Sequence, residues 1–124
     1  MLLAAAPAWA HHSFAAEYDR KHVIKLTGAV TRVDWSNPHV HFYIDVKDPE
    51  SGRVTNWAFE MAAPAALQKS GWKRNTMTVG EVVIVDGTRA KDGGSHGNAR
   101  AVTLASTGHR LGAASSQGYP AGGR

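Results

Sequence analysis

The chain has 124 residues, no cysteine and a formal net charge of +4, with an isoelectric point near 9.7. This length fits one domain, and the lack of cysteine excludes disulfide staples, thiolate metal ligands and a cysteine nucleophile. The basic residues are spread along the chain and do not form the concentrated stripe typical of nucleic-acid binding, so no nucleic-acid partner is predicted.

The N-terminal segment is similar to a short secretory signal. Residues 1–9 are apolar, and Ala8-Trp9-Ala10 is a small-x-small triplet of the kind that signal peptidase cleaves. We predict a signal peptide over residues 1–10 and a periplasmic or secreted mature protein; the alternative is an apolar tail on a cytoplasmic protein. Because no other apolar run reaches the roughly 20 residues that span a bilayer, no transmembrane segment is expected in the mature form.

The mature chain would begin with a polar, histidine-rich arm over residues 11–22. Strand patterns follow over residues 23–35, 39–46, 53–61, 82–90 and 99–105, with turn residues between them. Gly28 interrupts the first pattern, which predicts a bend or bulge in a long first strand. Pro64 and Gly71 bound a short helix between the third and fourth strands. Gly, Ala and Ser dominate from residue 106, so a disordered tail is expected over 106–124.

Five strands with one helix after the third is the element order of the OB fold. We therefore predict an all-β domain over residues 11–105 with one short helix, built as a five-stranded OB-fold-like Greek-key barrel. Closing the sheet would remove exposed strand edges, which a small all-β protein has to protect. A generic five-stranded sandwich is the competing interpretation.

Period-two alternation assigns the side chains of the second and third strands to two faces. The predicted core face carries Val40, Phe42, Ile44 and Val46 on the second strand, and Trp57, Phe59 and Met61 on the third. The opposite face carries His39, His41, Tyr43 and Asp45 on the second strand, and Asn56, Ala58 and Glu60 on the third. Among the aromatic residues, only Tyr43 on this polar face and Trp35 at a strand end are candidates for stacking a ligand.

Six short segments resemble a family of small exported bacterial proteins known as domain of unknown function 6152. They are residues 11–18 (HHSFAAEY), 26–30 (LTGAV), 34–39 (DWSNPH), 56–60 (NWAFE), 80–83 (GEVV) and 98–100 (NAR). The resemblance spans residues 11 to about 105 and implies export and a barrel-like β domain. It implies no established activity.

The first candidate site is the predicted mature N-terminus. Cleavage after Ala10 would place the free α-amine beside the imidazoles of His11 and His12. Three nitrogen donors at one chain end suit Cu(II), which favours tetragonal nitrogen coordination. The alternative is that two histidines follow the cleavage site by chance.

The second candidate site combines His39, His41 and Glu60. Histidines two residues apart on a strand lie on one face, with their backbones roughly 6 to 7 Å apart, so both rings could converge on one metal ion. Glu60 on the neighbouring strand could supply a third ligand or orient a ring. The alternatives are solvent-facing histidines and a surface ion pair of Glu60 with Arg53 or Lys47.

Three functions remain open from the sequence. The first is an exported protein that binds a metal ion, most readily copper, through His11 with His12, His39 or His41, for carriage, sequestration or sensing. The second is a metal-free periplasmic module that binds a protein, a glycan or an anionic ligand. The third is a small copper oxidoreductase, although no nucleophile–base pair or phosphate loop supports an enzyme.

Overall fold

The structure, a computed structural model, describes residues 18–114, with side chains described from residue 22 onward. This part of the chain forms six strands and one helix. In chain order they are β1 (Tyr18–Asp34), β2 (His41–Lys47), β3 (Val54–Glu60), α1 (Pro64–Lys69), β4 (Val82–Ala90), β5 (His96–Leu104) and β6 (Arg110–Gly112).

Five of the strands close into a ring. β1 pairs antiparallel with both β2 and β4, β2 pairs with β3, and β4 pairs with β5. Parallel pairing of β3 with β5 then completes the ring. The all-β prediction with one short helix between β3 and β4, in this strand order, is confirmed.

The first strand is long and irregular, as predicted, but its register shift against β2 lies beyond Gly28, the residue on which the prediction was based. Its first part pairs with β4 and its last part with β2, and the register against β2 shifts between Val30 and Arg32. At Gly28 the neighbouring strand lies so close that a Cβ atom would sit 2.3 Å from the carbonyl oxygen of Asp45. β1 begins at Tyr18, earlier than the predicted residue 23, because backbone pairing with β4 does not need an alternating side-chain pattern.

The core occupies the inside of the ring and follows the predicted faces of β2 and β3. The core side chains with no exposed surface on or beside these strands are Val40, Phe42, Ile44, Phe59 and Met61. The rings of Phe42 and Phe59 stack at 5.5 Å between centroids. Trp57 packs against this cluster but stays partly exposed. The prediction that Trp57 is a core residue is therefore only partly correct.

The helix α1 begins at Pro64 and buries Leu67 against the core. It ends at Lys69, two residues before the predicted stop at Gly71. Within residues 18–114, no helix is long and apolar enough to cross a membrane.

A sixth strand lies in the segment that the sequence assigned to the tail. Arg110–Gly112 pairs with Ala101–Thr103 of β5, and Leu111 and Ala113 are buried. One large apolar residue in a three-residue strand is too weak a pattern to predict from sequence. Residues 115–124, the rest of the predicted tail, lie outside the described residues.

Trp72 holds this last strand in place. Its indole is 2% exposed, and Nε1 donates a hydrogen bond of 2.8 Å to the carbonyl oxygen of Gly112. We expect Trp72→Phe to lower the free energy of unfolding by about 1 to 2 kcal/mol, because it leaves this carbonyl without its donor. Urea denaturation measures the loss, and hydrogen exchange should accelerate first at Leu111 and Ala113. Unchanged stability and exchange would contradict this role.

Candidate functional site

Strand pairing brings Glu60 beside His41. The two residues are register partners in the antiparallel pair of β2 and β3, and paired residues point to the same face of a sheet. That face is the outside of the ring, since the alternate residues Phe42 and Phe59 fill the core. The side chain of His41 is 42% exposed and that of Glu60 is 17% exposed.

His39 joins the pair from the segment just before β2. Its Nδ1 contacts the Oε2 oxygen of Glu60 as an ion pair or hydrogen bond, and its side chain is 28% exposed. The other carboxylate oxygen, Oε1, lies 4.0 Å from Nε2 of His41. The backbone of Val40 fixes this arrangement by exchanging hydrogen bonds with Met61 and Ala62, which follow Glu60. The predicted residues His39, His41 and Glu60 therefore lie together, with the carboxylate between the two rings.

This geometry determines which imidazole nitrogen is available for other chemistry. A carboxylate at Nδ1 of a neutral histidine holds the proton there and leaves the lone pair on Nε2. Metal-binding histidines commonly have such a carboxylate partner, which orients the ring and raises its basicity. Of the two roles considered for Glu60, ring orientation fits its contact with His39.

The described residues do not contain a complete set of metal ligands. Among the side chains of residues 22–114, no group of three or more His, Asp or Glu residues is arranged to hold a metal ion. Nδ1 of His39 and Nε2 of His41 are the ring nitrogens that face the carboxylate of Glu60. The other two predicted ligands, His11 and His12, lie outside the described residues.

Tyr43 and its neighbours border the histidine cluster on the same outer face. Tyr43 pairs with Arg32 of β1, and the guanidinium lies 5.7 Å from the centroid of the phenol ring. Arg32 also donates a hydrogen bond of 2.9 Å to Asp34, which raises the pKa of the guanidinium. Asp34 is in turn the register partner of His41, so a charged pair flanks the cluster on the β1 side. Arg32 and Asp34 were not predicted as part of this site.

A second histidine–carboxylate pair lies at the start of β5. Nε2 of His96 is 3.1 Å from both carboxylate oxygens of Asp92. The pKa of Asp92 is lowered mainly by a hydrogen bond from the Gly94 amide and secondly by the contact with His96. The predicted last strand began only at residue 99, but His96 already pairs with Ala58 of β3. The i, i+4 spacing of Asp92 and His96 across a glycine turn is the signal that could have found this pair.

The remaining aromatic and histidine residues separate into core and surface. Phe42 and Phe59 are core residues as predicted, and Trp35 is partly buried against the core. His22 and His109 are exposed and lie outside the cluster of His39, His41 and Glu60.

Comparison with known proteins places the chain in a family whose function is not known. No curated protein matches the chain. The model of a family of unknown function, DUF6152, matches residues 1–100, which is most of the chain. The matched range includes β1 to β4, α1 and all three clustered residues His39, His41 and Glu60. The chain therefore belongs to the DUF6152 family.

Proposed function

We propose that this chain is an exported metal-binding protein that takes up Cu(II) in the periplasm or outside the cell, for carriage, sequestration or sensing. The observation that carries the proposal is the contact of His39 and His41 with one carboxylate on the outer face of the ring. The mature N-terminus would provide the α-amine and the imidazoles of His11 and His12. His39 or His41 would complete the donor set.

The length of the N-terminal arm is compatible with this donor set. The described chain starts at Tyr18, which pairs with Ala90 at the end of β4. Two residues along β4 lies Thr88, the register partner of Asn98 on β5. Asn98 pairs in turn with Glu60 on β3, and Glu60 pairs with His41 on β2. Four strand spacings across the sheet and two residue steps along it, taken at right angles, place His41 about 20 Å from Tyr18 on the unrolled sheet. The seven steps from His11 to Tyr18 span up to about 24 Å when extended, so His11 can reach His41.

The donor types favour copper over other metals. Amine and imidazole nitrogens in a tetragonal arrangement suit Cu(II), while a chain without cysteine offers no thiolate for Cu(I) or a structural zinc site. The α-amine titrates near pH 8 and must lose its proton to bind. Copper affinity is therefore expected to rise with pH through the neutral range.

The test is titration of the protein beginning at His11 with Cu(II), followed by electron paramagnetic resonance. We expect nitrogen hyperfine structure in the wild type and at least about tenfold weaker binding after the double change His39→Ala and His41→Ala. The matched control is His22→Ala with His109→Ala, which also removes two exposed histidines but leaves the cluster intact. Equal affinity of both double variants would exclude the cluster from the copper site.

Two further variants separate the parts of the proposed site. Glu60→Gln keeps the side-chain shape but removes the charge that orients His39, and we expect it to weaken copper binding by about 10- to 100-fold.

One extra residue before His11 should abolish chelation by the terminal amine. If the extended protein keeps the wild-type affinity and spectrum, the N-terminal part of the proposal is wrong.

A metal-free binding module is the second candidate function. The observation that favours it is the partly exposed surface formed by Tyr43, Arg32 and Asp34 beside the histidines on the outer face of β1 and β2. In OB folds, the face of the second and third strands binds oligonucleotides or oligosaccharides. A protein that ignores Cu(II) but binds a glycan with loss of affinity in Tyr43→Ala would favour this function.

A further inference from the structure

An open cavity lies at the far end of β2, away from the histidine cluster. Its volume is about 290 Å³. The residues that line it are Leu26, Val46, Lys47, Asp48, Pro49, Thr55 and Trp57. Six residues of an extended strand separate His41 from Lys47, which corresponds to about 20 Å. The cavity is therefore a separate feature from the proposed copper site.

Trp57 lines this cavity with an aromatic ring that carries an N–H donor. Its ring stacks against Phe59 at 6.0 Å between centroids, and the guanidinium of Arg89 lies 5.3 Å from its centroid. The indole N–H has no hydrogen-bond acceptor among residues 22–114. The contrast with Trp72 is informative, because the N–H of that buried indole is paired with Gly112. Trp57 thus combines apolar contact surface with an available N–H group.

Lys47 gives the same cavity a positive charge. It is exposed at the end of β2 and forms no ion pair with any residue in the range 22–114. The neighbouring carboxylate of Asp48 accepts hydrogen bonds from the backbone amides of Glu50 and Ser51, which close the turn between β2 and β3. Asp48 is therefore committed to the turn, whereas the ammonium group of Lys47 is available to a ligand.

We propose that this cavity binds a small organic anion with an apolar body, such as an aromatic carboxylate. The apolar part would contact Leu26, Val46 and Trp57, and the carboxylate would meet the ammonium group of Lys47 and the indole N–H. Ligand sites typically combine an apolar lining with a few polar groups that fix orientation. The cavity volume of about 290 Å³ lies just below the lower end of about 300 Å³ that is usual for ligand sites, which limits the ligand to about one ring with a short chain.

The test uses 4-phenylbutyrate and its neutral counterpart 4-phenylbutan-1-ol as probes of the metal-free protein. Each is titrated into nitrogen-15-labelled protein while the indole N–H signals are followed by nuclear magnetic resonance. We expect the Trp57 indole signal to shift and the Trp72 signal to stay in place. The carboxylate should bind about fivefold more tightly than the alcohol, as one exposed charge pair allows.

Lys47→Gln is the decisive variant, and Lys69→Gln on α1 is its matched control. Both positions are exposed, so neither change is expected to affect folding. Lys47→Gln should remove the preference for the carboxylate, while Lys69→Gln should preserve it. Equal binding of the two probes to the wild type, or an unchanged preference in Lys47→Gln, would overturn the proposal. Because no copper is present, neither result depends on the function proposed above.

Discussion

Phe59→Ala is expected to lower the free energy of unfolding by about 4 kcal/mol, which is near the upper end for a single core truncation. Phe59 has no exposed surface and lies between the rings of Phe42 and Trp57, at 5.5 and 6.0 Å between centroids. Truncation removes both stacking contacts and leaves a cavity inside a closed ring of strands. A closed ring has little freedom to collapse onto the missing volume, so most of the cavity cost should remain.

Urea denaturation of Phe59→Ala and of the control Val79→Ala measures this effect. Val79 is 66% exposed, so its truncation should change stability by no more than about 0.5 kcal/mol. Phe59→Leu should fall between the wild type and Phe59→Ala because it keeps part of the buried volume. A loss below about 1 kcal/mol in Phe59→Ala would mean that the ring is not packed as the structure describes.

Gly87→Ala is expected to have the second largest effect, a loss of about 3 kcal/mol. A Cβ atom at this position would lie 2.2 Å from the carbonyl oxygen of Asn98 on the neighbouring strand β5. The obstacle is backbone and not a flexible side chain, so the strands must separate to admit the methyl group. This close approach adjoins the register shift between Asp86 and Gly87, where β4 and β5 change their pairing.

The matched control for this prediction is Gly112→Ala in β6. A Cβ atom at Gly112 would meet nothing within 4 Å, and its φ is not positive. Alanine there should be neutral or slightly stabilising, because it reduces the conformational freedom of the unfolded chain. Thermal unfolding of the two variants compares them directly. If Gly87→Ala is as stable as Gly112→Ala, the close approach of β4 and β5 is wrong.

The sequence predicted that His39, His41 and Glu60 lie on the same face of the sheet, but it did not predict which of them face each other. Alternation places His39 and His41 on one face of a strand, and it places Glu60 on the corresponding face of the next strand. The short turn between these strands makes them neighbours. What alternation does not give is the register, which sets Glu60 opposite His41 and not two residues away. The register also brings Asp34 beside His41, a neighbour distant in sequence that no local pattern indicates.

The Asp92–His96 pair is a feature of the structure that the sequence did not predict. Both residues lie in a glycine-rich stretch that is typical of a loop, and the predicted last strand accordingly began only at residue 99. The structure includes His96 in β5 because the parallel pairing with β3 begins at this residue. Parallel pairing between strands far apart in the chain depends on closure of the whole ring, so it leaves no signal in the local sequence.

The amino-acid sequence by itself determined the order of the first five strands and the helix, the inward and outward faces of β2 and β3, and the presence of an irregularity in β1, because these follow from periodicity and backbone geometry within short segments. Only the tertiary structure decided which residues meet across strands, where β6 attaches, and that Trp57 lines a cavity while Trp72 is buried. These features depend on ring closure, which fixes the register of every strand pair at once. Local side-chain preferences do not carry that information.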